Sequence, residues 1–278
     1  MNFTITALDA PIAALGESPL WCPEEAILYW VDIDGKTIHR HDPTTGTHGM
    51  RSIDGRPGAI ALSSTLGRLL VASEHRLLEL DWDTGVVTLF ADLEAASTGN
   101  RLNDGCCDSA GRFIVGSMYA DTTAGHTTGT LHRIHHSGEV ETLRTDIGVT
   151  NGLAFDVKRN RMYFADTPTE RVLVFDYEPS TGTMSNQRLF FDYHEHPGKP
   201  DGACVDADGC YWSASVYGWS LLRIKPDGEV DYRVELPLQK PSMPCFGGKH
   251  LDTLFVTTIG TAGTIPSEAG RDGFEPGA

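Results

Sequence analysis

A short unit recurs along this 278-residue chain and restricts the fold more than any other feature. Its clearest copy is Thr150 to Asp166, TNGLAFDVKRNRMYFAD. A polar residue, Asn151, precedes a short apolar strand, Leu153 to Phe155. A turn follows, then a second strand that ends at Asp166, itself read as a turn residue. The second strand, Met162-Tyr163-Phe164-Ala165, has counterparts at Leu28-Tyr29-Trp30-Val31, Leu69-Leu70-Val71-Ala72, Phe113-Ile114-Val115-Gly116, Tyr211-Trp212-Ser213-Ala214 and Leu254-Phe255-Val256-Thr257. The copies recur at roughly 41 to 49 residues, the range of a four-stranded propeller blade. Helical repeats of that length fit poorly. The units alternate at period two and are rich in β-branched and aromatic residues.

Four strands can be placed within a unit. In the fourth they are about Gly152–Phe155, Arg161–Ala165, Arg171–Phe175 and Arg188–Phe191. Between strands stand turn sequences such as Asp42-Pro43-Thr44-Thr45-Gly46, Asp83-Thr84-Gly85 and Pro226-Asp227-Gly228. The expectation is an all-β, six-bladed β-propeller, with residues 1–278 as one domain. A two-sheet sandwich does not explain the regular recurrence. Asn2 to Leu8 alternate like a strand that would complete the last blade. In the last unit no third strand is readable after Leu254–Ile259, so that blade is expected to be incomplete or closed in another way. An unclosed ring leaves exposed strand edges.

Composition narrows the function. The formal net charge is -16, which disfavours a phosphate backbone or an anionic membrane as partner. No run of about 18 apolar residues occurs, and the N-terminus lacks the pattern of a secretory signal. The six cysteines form no Cys-x-x-Cys pair, and reduced, mostly buried thiols in a cytoplasmic protein are expected. No obligate protein partner is evident.

The chemistry should lie at one repeat position. Thirteen or fourteen residues before the end of each second strand (about one blade-strand pair back) stand Glu17, Gly58 or Ala59, Asn103, Asn151, Asp201, and Met243 or Pro244. In a propeller the innermost strands line the channel, so equivalent positions share one height. Asn-Gly and Asp-Gly are common turn dipeptides, and either alone reads as a turn. Four polar residues at one position, with Glu17 outside any turn signal, favour a site. The set is all oxygen, with two carboxylates. It suits Ca²⁺, Mg²⁺ or Mn²⁺. Ligand type alone does not select Zn²⁺, which stays among the candidate ions. Arg101 begins Arg101-Leu102-Asn103-Asp104-Gly105 and offers a fork of donors for substrate hydroxyls or an oxyanion, against a rim salt bridge as the plain alternative. Asp121 follows the third unit's second strand and either reaches the same opening or is a solvated loop carboxylate.

Other groups carry less. His132, His135 and His136 fall on an outer strand and its turn. His194 and His196 lie in the loop before Asp201 and could edge the pocket. Cys106-Cys107 reads as strand filler. There is no Gly-x-Ser-x-Gly elbow and no phosphate-cradling loop of the strand–helix type.

Five segments together resemble the gluconolactonase and regucalcin (senescence marker protein) family. They are Gly16-Glu17-Ser18-Pro19-Leu20-Trp21, Asn100-Arg101-Leu102-Asn103-Asp104-Gly105, Thr150-Asn151-Gly152-Leu153, Pro200-Asp201-Gly202 and Cys245-Phe246-Gly247-Gly248, in family order over nearly the whole chain. The resemblance implies a six-bladed propeller with one divalent metal on its axis, held by Glu17, Asn151 and Asp201. It implies Arg101 and Asn103 as substrate contacts, and Asp121 as a position acidic in some relatives. Family activity is hydrolysis of sugar lactones, with the metal polarising the carbonyl or activating water and Asp201 as general base. Two alternatives stay open. One is a related hydrolase of organophosphates or hydrophobic lactones, against which Arg101 argues. The other is a non-enzymatic calcium-binding propeller.

Overall fold

Period-two alternation commits the chain to strands, and consecutive strands pair into antiparallel sheets. The computed structural model describes residues 4–95 and 98–260. The first sheet is β1 (Gly16–Cys22), β2 (Ile27–Asp32), β3 (Thr37–His41) and β4 (His48–Ser52). The second is β5 (Pro57–Leu62), β6 (Arg68–Ser73), β7 (Arg76–Asp81) and β8 (Val87–Asp92). The third is β9 (Asn100–Cys107), β10 (Phe113–Tyr119), β11 (Gly129–Ile134) and β12 (Val140–Ile147). The fourth is β13 (Thr150–Asp156), β14 (Arg161–Asp166), β15 (Arg171–Glu178) and β16 (Thr183–Asp192). The fifth is β17 (Lys199–Val205), β18 (Tyr211–Val216), β19 (Ser220–Ile224) and β20 (Val230–Glu235). The sixth has two strands, β21 (Pro241–Gly247) and β22 (Thr253–Thr258). In the fourth sheet the strands fall where the sequence puts them; β13 and β16 run longer at both ends, β14 and β15 only at their C-terminal ends. No α-helix occurs among the described residues, and none is long and apolar enough to cross a membrane.

The architecture is an all-β propeller. Each first strand packs against the first strand of the next sheet, and β21 packs against β1. Six apolar clusters fill the seams between sheets. Tyr29, Val31, Ile60 and Trp82 fill the first; Ala154, Tyr163, Ala203 and Tyr211 fill the fourth. Each such side chain contributes about 1.5–3 kcal/mol by leaving water. The sixth seam joins Trp21, Leu28 and Trp30 to Phe255, with Trp21 stacked on Phe255 at 5.8 Å. There Ser242 Oγ donates to the Gly16 carbonyl at 2.6 Å.

The expectation of six full blades needs correction: the described residues form five four-stranded blades and one two-stranded sheet. Nothing among them pairs with the outer edge of β22. Beside that edge a cleft of ≈ 540 Å³ runs between the first and fifth blades, lined by Trp30, Trp212, Leu236 and Phe255. It marks the space that two outer strands occupy in the other blades. The strand expected at Asn2 to Leu8 does not form over residues 4–8, which line this cleft instead. Met1 to Phe3, and the tail from Thr261 on which blade closure was also expected to turn, lie outside the described residues. All six cysteines are free thiols. Cys22 and Cys210 are buried and Cys107 is exposed, so fewer are buried than expected.

One irregularity repeats in every sheet and positions the site. Pairing between the first and second strand slips at the end where the first strand enters. The slips fall between Glu17 and Leu20, Pro57 and Ala59, Asn151 and Ala154, Pro200 and Ala203, and Pro241 and Met243. In the third sheet the slip lies opposite Val115 to Ser117, at Leu102 to Gly105. Such bulges re-aim side chains. Here they stand at the repeat position singled out from sequence.

Candidate active site at the mouth of the central channel

The bulged strand starts carry the site. β1 supplies Glu17, β9 supplies Arg101, Asn103 and Asp104, β13 supplies Asn151, and β17 supplies Asp201. Gly152, beside Asn151 in its bulge, has φ +63, a conformation that glycine adopts without strain. The second sheet's exception has a steric cause. A Cβ on Gly58 would fall against the carbonyl oxygens of Leu102 and Asn103. That sheet supplies the shoulder on which the Asn103 backbone rests, so it can offer no side chain at this position.

Hydrogen bonds join the third and fourth blades at this site, and charge interactions link it to Glu17 and Asp201 on the first and fifth. Arg101 Nη1 donates to the Leu102 carbonyl at 3.1 Å and to Asn103 Oδ1 at 2.7 Å. Asn103 Nδ2 donates to the Thr150 carbonyl at 2.9 Å and to Asn151 Oδ1 at 3.1 Å. Arg101, Asn103, Asn151 and Asp201 are all buried, and Glu17 is half-buried. Electrostatics joins the remaining groups. Burial pushes the Glu17 carboxyl well up, and Asp201 and then Asp104 push it further, against the Ser18 N–H and Arg101. Burial does the same to Asp201, with Asp104 adding and the Gly202 N–H and Arg101 opposing. Arg101 is brought down to about 10, first by burial and then by Arg56, while Asp34, Glu17 and Glu74 oppose.

Asp104 was not singled out from sequence. Its Oδ2 accepts the Leu153 N–H at 2.9 Å across the seam to the fourth blade. Its Oδ1 is buried with no hydrogen-bond partner. Burial raises its pKa to about 6, against the Leu153 and Gly105 N–H groups. Ser18 plays the matching part at the first seam, where its Oγ accepts the Ile60 N–H at 3.0 Å. A polar residue straight after a candidate ligand was the available signal.

The structure does not bring Asp121 into the cluster. It is exposed and accepts from Thr123 N at 3.0 Å and Thr123 Oγ1 at 2.6 Å, capping a short turn. His194 pairs with Asp192, and His196 packs on Phe191 with ring centroids at 4.7 Å. His132 lies on β11, bound to Glu94 Oε1 at 3.1 Å. Asp166 is more than a turn residue. Its carboxylate accepts the N–H groups of Gly148 and Val149 and so clasps the approach to Asn151. Asp32 holds Ala14 and Leu15 in the same way before Glu17.

The residues fit a divalent cation. Glu17 and Asp201 offer carboxylate oxygens and Asn151 an amide oxygen, all of a kind hard cations prefer. Carboxyls raised by burial and then by neighbouring carboxylates, and the orphaned Asp104 Oδ1, mark a place that positive charge would stabilise. Among the described residues no three Asp, Glu, His or Cys side chains meet closely enough to hold an ion by themselves. The Asn151 amide oxygen is a further donor of the right kind beside them.

A propeller with carboxylates, amides and one arginine gathered at a channel mouth is of the class that binds or transforms small polar molecules on its axis. Within that class, the chain belongs to the SMP-30/Gluconolactonase/LRE-like region family, which it matches over residues 15–260. It is 34% identical over 266 residues to the pentonolactonase XacC of Haloferax volcanii, covering 94% of this chain and 87% of that one. It is 33% identical over 260 residues to the 6-deoxy-6-sulfogluconolactonase of Pseudomonas putida, covering 93% and 88%. The crystal structure of a calcium-binding regucalcin from Agrobacterium tumefaciens superposes with a TM-score of 0.89 at 27% identity, over 98% of this chain and 94% of that one.

Proposed function

We propose that this protein is a divalent-metal-dependent sugar lactonase, a single propeller domain that opens an aldonolactone to its aldonic acid. One observation carries the reading: Glu17, Asn151 and Asp201 gather with Arg101 and Asn103 at one mouth. The relatives that carry lactonase names support it. Six free thiols fit a cytoplasmic setting.

Glu17, Asn151 Oδ1 and Asp201 would hold the ion, drawn from Ca²⁺, Mg²⁺, Mn²⁺ or Zn²⁺. Bound there, it would supply Lewis-acid polarisation of a carbonyl and a more acidic water. The protein's own residues do the rest. Arg101 has Nη1 committed to Leu102 and Asn103, which fixes the guanidinium and leaves its other donors for substrate oxygens. These donors stabilise the negative charge that develops on the lactone oxygen. Asn103 holds a ring hydroxyl and sets the ester against Asp201. Asp201 takes a proton from water as the water oxygen bonds to the carbonyl carbon. The ring carbon–oxygen bond then breaks, the ring oxygen leaves as a hydroxyl with that proton, and the carboxylic acid remains. Asp121, exposed on its loop, would meet only a substrate that projects from the mouth.

The test is a panel of aldonolactones assayed with each of the four cations, run beside Asp201→Ala. Turnover that depends on a cation and disappears in a folded Asp201→Ala protein supports the reading; full activity in that variant rejects it. A second reading, calcium binding without turnover, rests on the likeness to the calcium-binding regucalcin. Tight Ca²⁺ binding with no hydrolysis across the panel would favour it.

A further inference from the structure

A single directed chain of hydrogen bonds crosses three blades behind the carboxylates. It runs from Arg101 Nη1 to Asn103 Oδ1 at 2.7 Å, then from Asn103 Nδ2 to Asn151 Oδ1 at 3.1 Å. It continues from Asn151 Nδ2 to Thr167 Oγ1 at 2.8 Å, and from Thr167 Oγ1 to the Pro200 carbonyl at 2.8 Å. Both ends have fixed polarity. A guanidinium can only donate, and a carbonyl can only accept. The Thr167 hydroxyl therefore spends its proton on Pro200 and must accept from its other neighbour. That neighbour is then the Asn151 NH₂ group, so the Asn151 oxygen faces the opposite way, toward Asn103. Reversing the amide would place two acceptors at Thr167 and two NH₂ groups against each other at Asn103.

The geometry points to Thr167 as the positioning residue of the cation site. Its hydroxyl fixes which face of the Asn151 amide meets the ion, and it ties that ligand to the backbone of Pro200, next to Asp201. The residue lies on the short turn Thr167–Thr169, outside every strand, and the repeat pattern gives it no role. Asn151 comes from the fourth blade and Asp201 from the fifth, so Thr167 also sets the spacing of two ligands across a seam. This rests on the reading of Glu17, Asn151 and Asp201 as ligands. Outer-shell partners of metal ligands are typically worth about 10- to 100-fold in affinity.

The test is calorimetric titration of the chelator-stripped full chain with Mn²⁺, comparing the unmodified protein with Thr167→Val, Thr167→Ala, Thr167→Ser and Asp201→Asn. Thr167→Val keeps the shape and removes the hydroxyl, and Thr167→Ala guards against misfolding of the first variant. The expected result is affinity weaker by about tenfold or more in both, with Thr167→Ser within about threefold of the unmodified protein. Unchanged Mn²⁺ affinity in a folded Thr167→Val or Thr167→Ala protein overturns the role of Thr167, provided that Asp201→Asn loses binding. If Asp201→Asn binds Mn²⁺ as the unmodified protein does, the ligand assignment itself fails, and the role of Thr167 fails with it.

Discussion

Asn103 Nδ2 donates to Asn151 Oδ1 at 3.1 Å, across the seam between the third and fourth blades. The contact joins a candidate substrate residue to a candidate metal ligand. Asn103→Ala removes it, and it also leaves Arg101 Nη1 without its 2.7 Å acceptor. Lactone kcat/KM should drop by about 10²-fold, the scale of losing a placed polar group at a reacting centre. Initial rates on an aldonolactone check this. Asn103→Asp would keep the Arg101 contact but oppose Asn151 Oδ1, so it should recover only part of the loss.

Arg101→Lys tests geometry rather than charge. The guanidinium sits buried with one nitrogen fixed to two acceptors, and a lysine offers a point charge on a flexible stem. Kinetics with saturating cation should show kcat lowered by about tenfold or more while cation affinity stays within a few-fold. Equal kcat in Arg101→Lys would remove Arg101 from the chemistry.

Three buried carboxyls should each cost the chelated protein stability as pH rises. Glu17, Asp104 and Asp201 have folded pKa values above their unfolded ones, Asp104 reaching about 6 from 3.8. Between the two values the folded state binds more protons than the unfolded chain, so unfolding free energy decreases as pH rises. For Asp104 the loss begins near pH 4 and is complete above about pH 6; Glu17 and Asp201 contribute in the same direction. Burial would raise Asp108 and Asp206, but hydrogen bonds from Tyr177 and Arg112 to the first, and from Trp212, the Cys210 N–H and Arg223 to the second, together with the arginine charges, hold both below the ordinary carboxylate value, so they titrate with the opposite sign. His39, brought down to about 4 by burial and then by His48, works the other way: it takes up a proton on unfolding below about pH 6.5 and so adds stability as pH rises to that point. The Asp104 effect is therefore read as the Tm of the chelated protein minus that of chelated Asp104→Asn, which should fall from about pH 4 to 6.5. Mn²⁺ should raise Tm more at the upper end of that range. A difference that grows with pH across it contradicts the assignment.

Gly58→Ala tests the shoulder under Asn103. The added Cβ meets the carbonyls of Leu102 and Asn103, which are backbone and cannot turn away. Overpacking of this kind costs about 1–3 kcal/mol, readable as a lower urea midpoint. The same shift should displace Asn103 and lower kcat/KM, although residue 58 is not expected to touch substrate.

Much of the fold was readable because blades repeat and strands alternate. Leu28 to Val31, Met162 to Ala165 and Tyr211 to Ala214 are the second strands they were expected to be. Glu17, Asn151 and Asp201 were readable because a repeat turns equal positions into equal heights. The rest depends on interactions that no period encodes. Asp166, at the end of β14, and Thr167, just past it, act through side-chain hydrogen bonds to neighbouring segments that the alternation does not describe. Asp104 looks like half of an Asp-Gly turn until its Oδ2 is seen to cross the seam. Asp121 has the expected charge but caps its own loop, because Thr123 is closer than the channel. At the N-terminus, residues 4–8 alternate like a strand but lie in the cleft beside β22 unpaired, since alternation records which face is apolar and not which edge is available.

The proposed ligands Glu17, Asn151 and Asp201 should meet around one divalent cation, and anomalous diffraction from Mn²⁺-soaked crystals would show whether they do. One strong peak is expected within coordination distance of a Glu17 carboxylate oxygen, Asn151 Oδ1 and an Asp201 carboxylate oxygen, lost in Asp201→Asn crystals. A channel mouth without a peak at saturating Mn²⁺, or a peak that ignores Asn151, would contradict the ligand assignment.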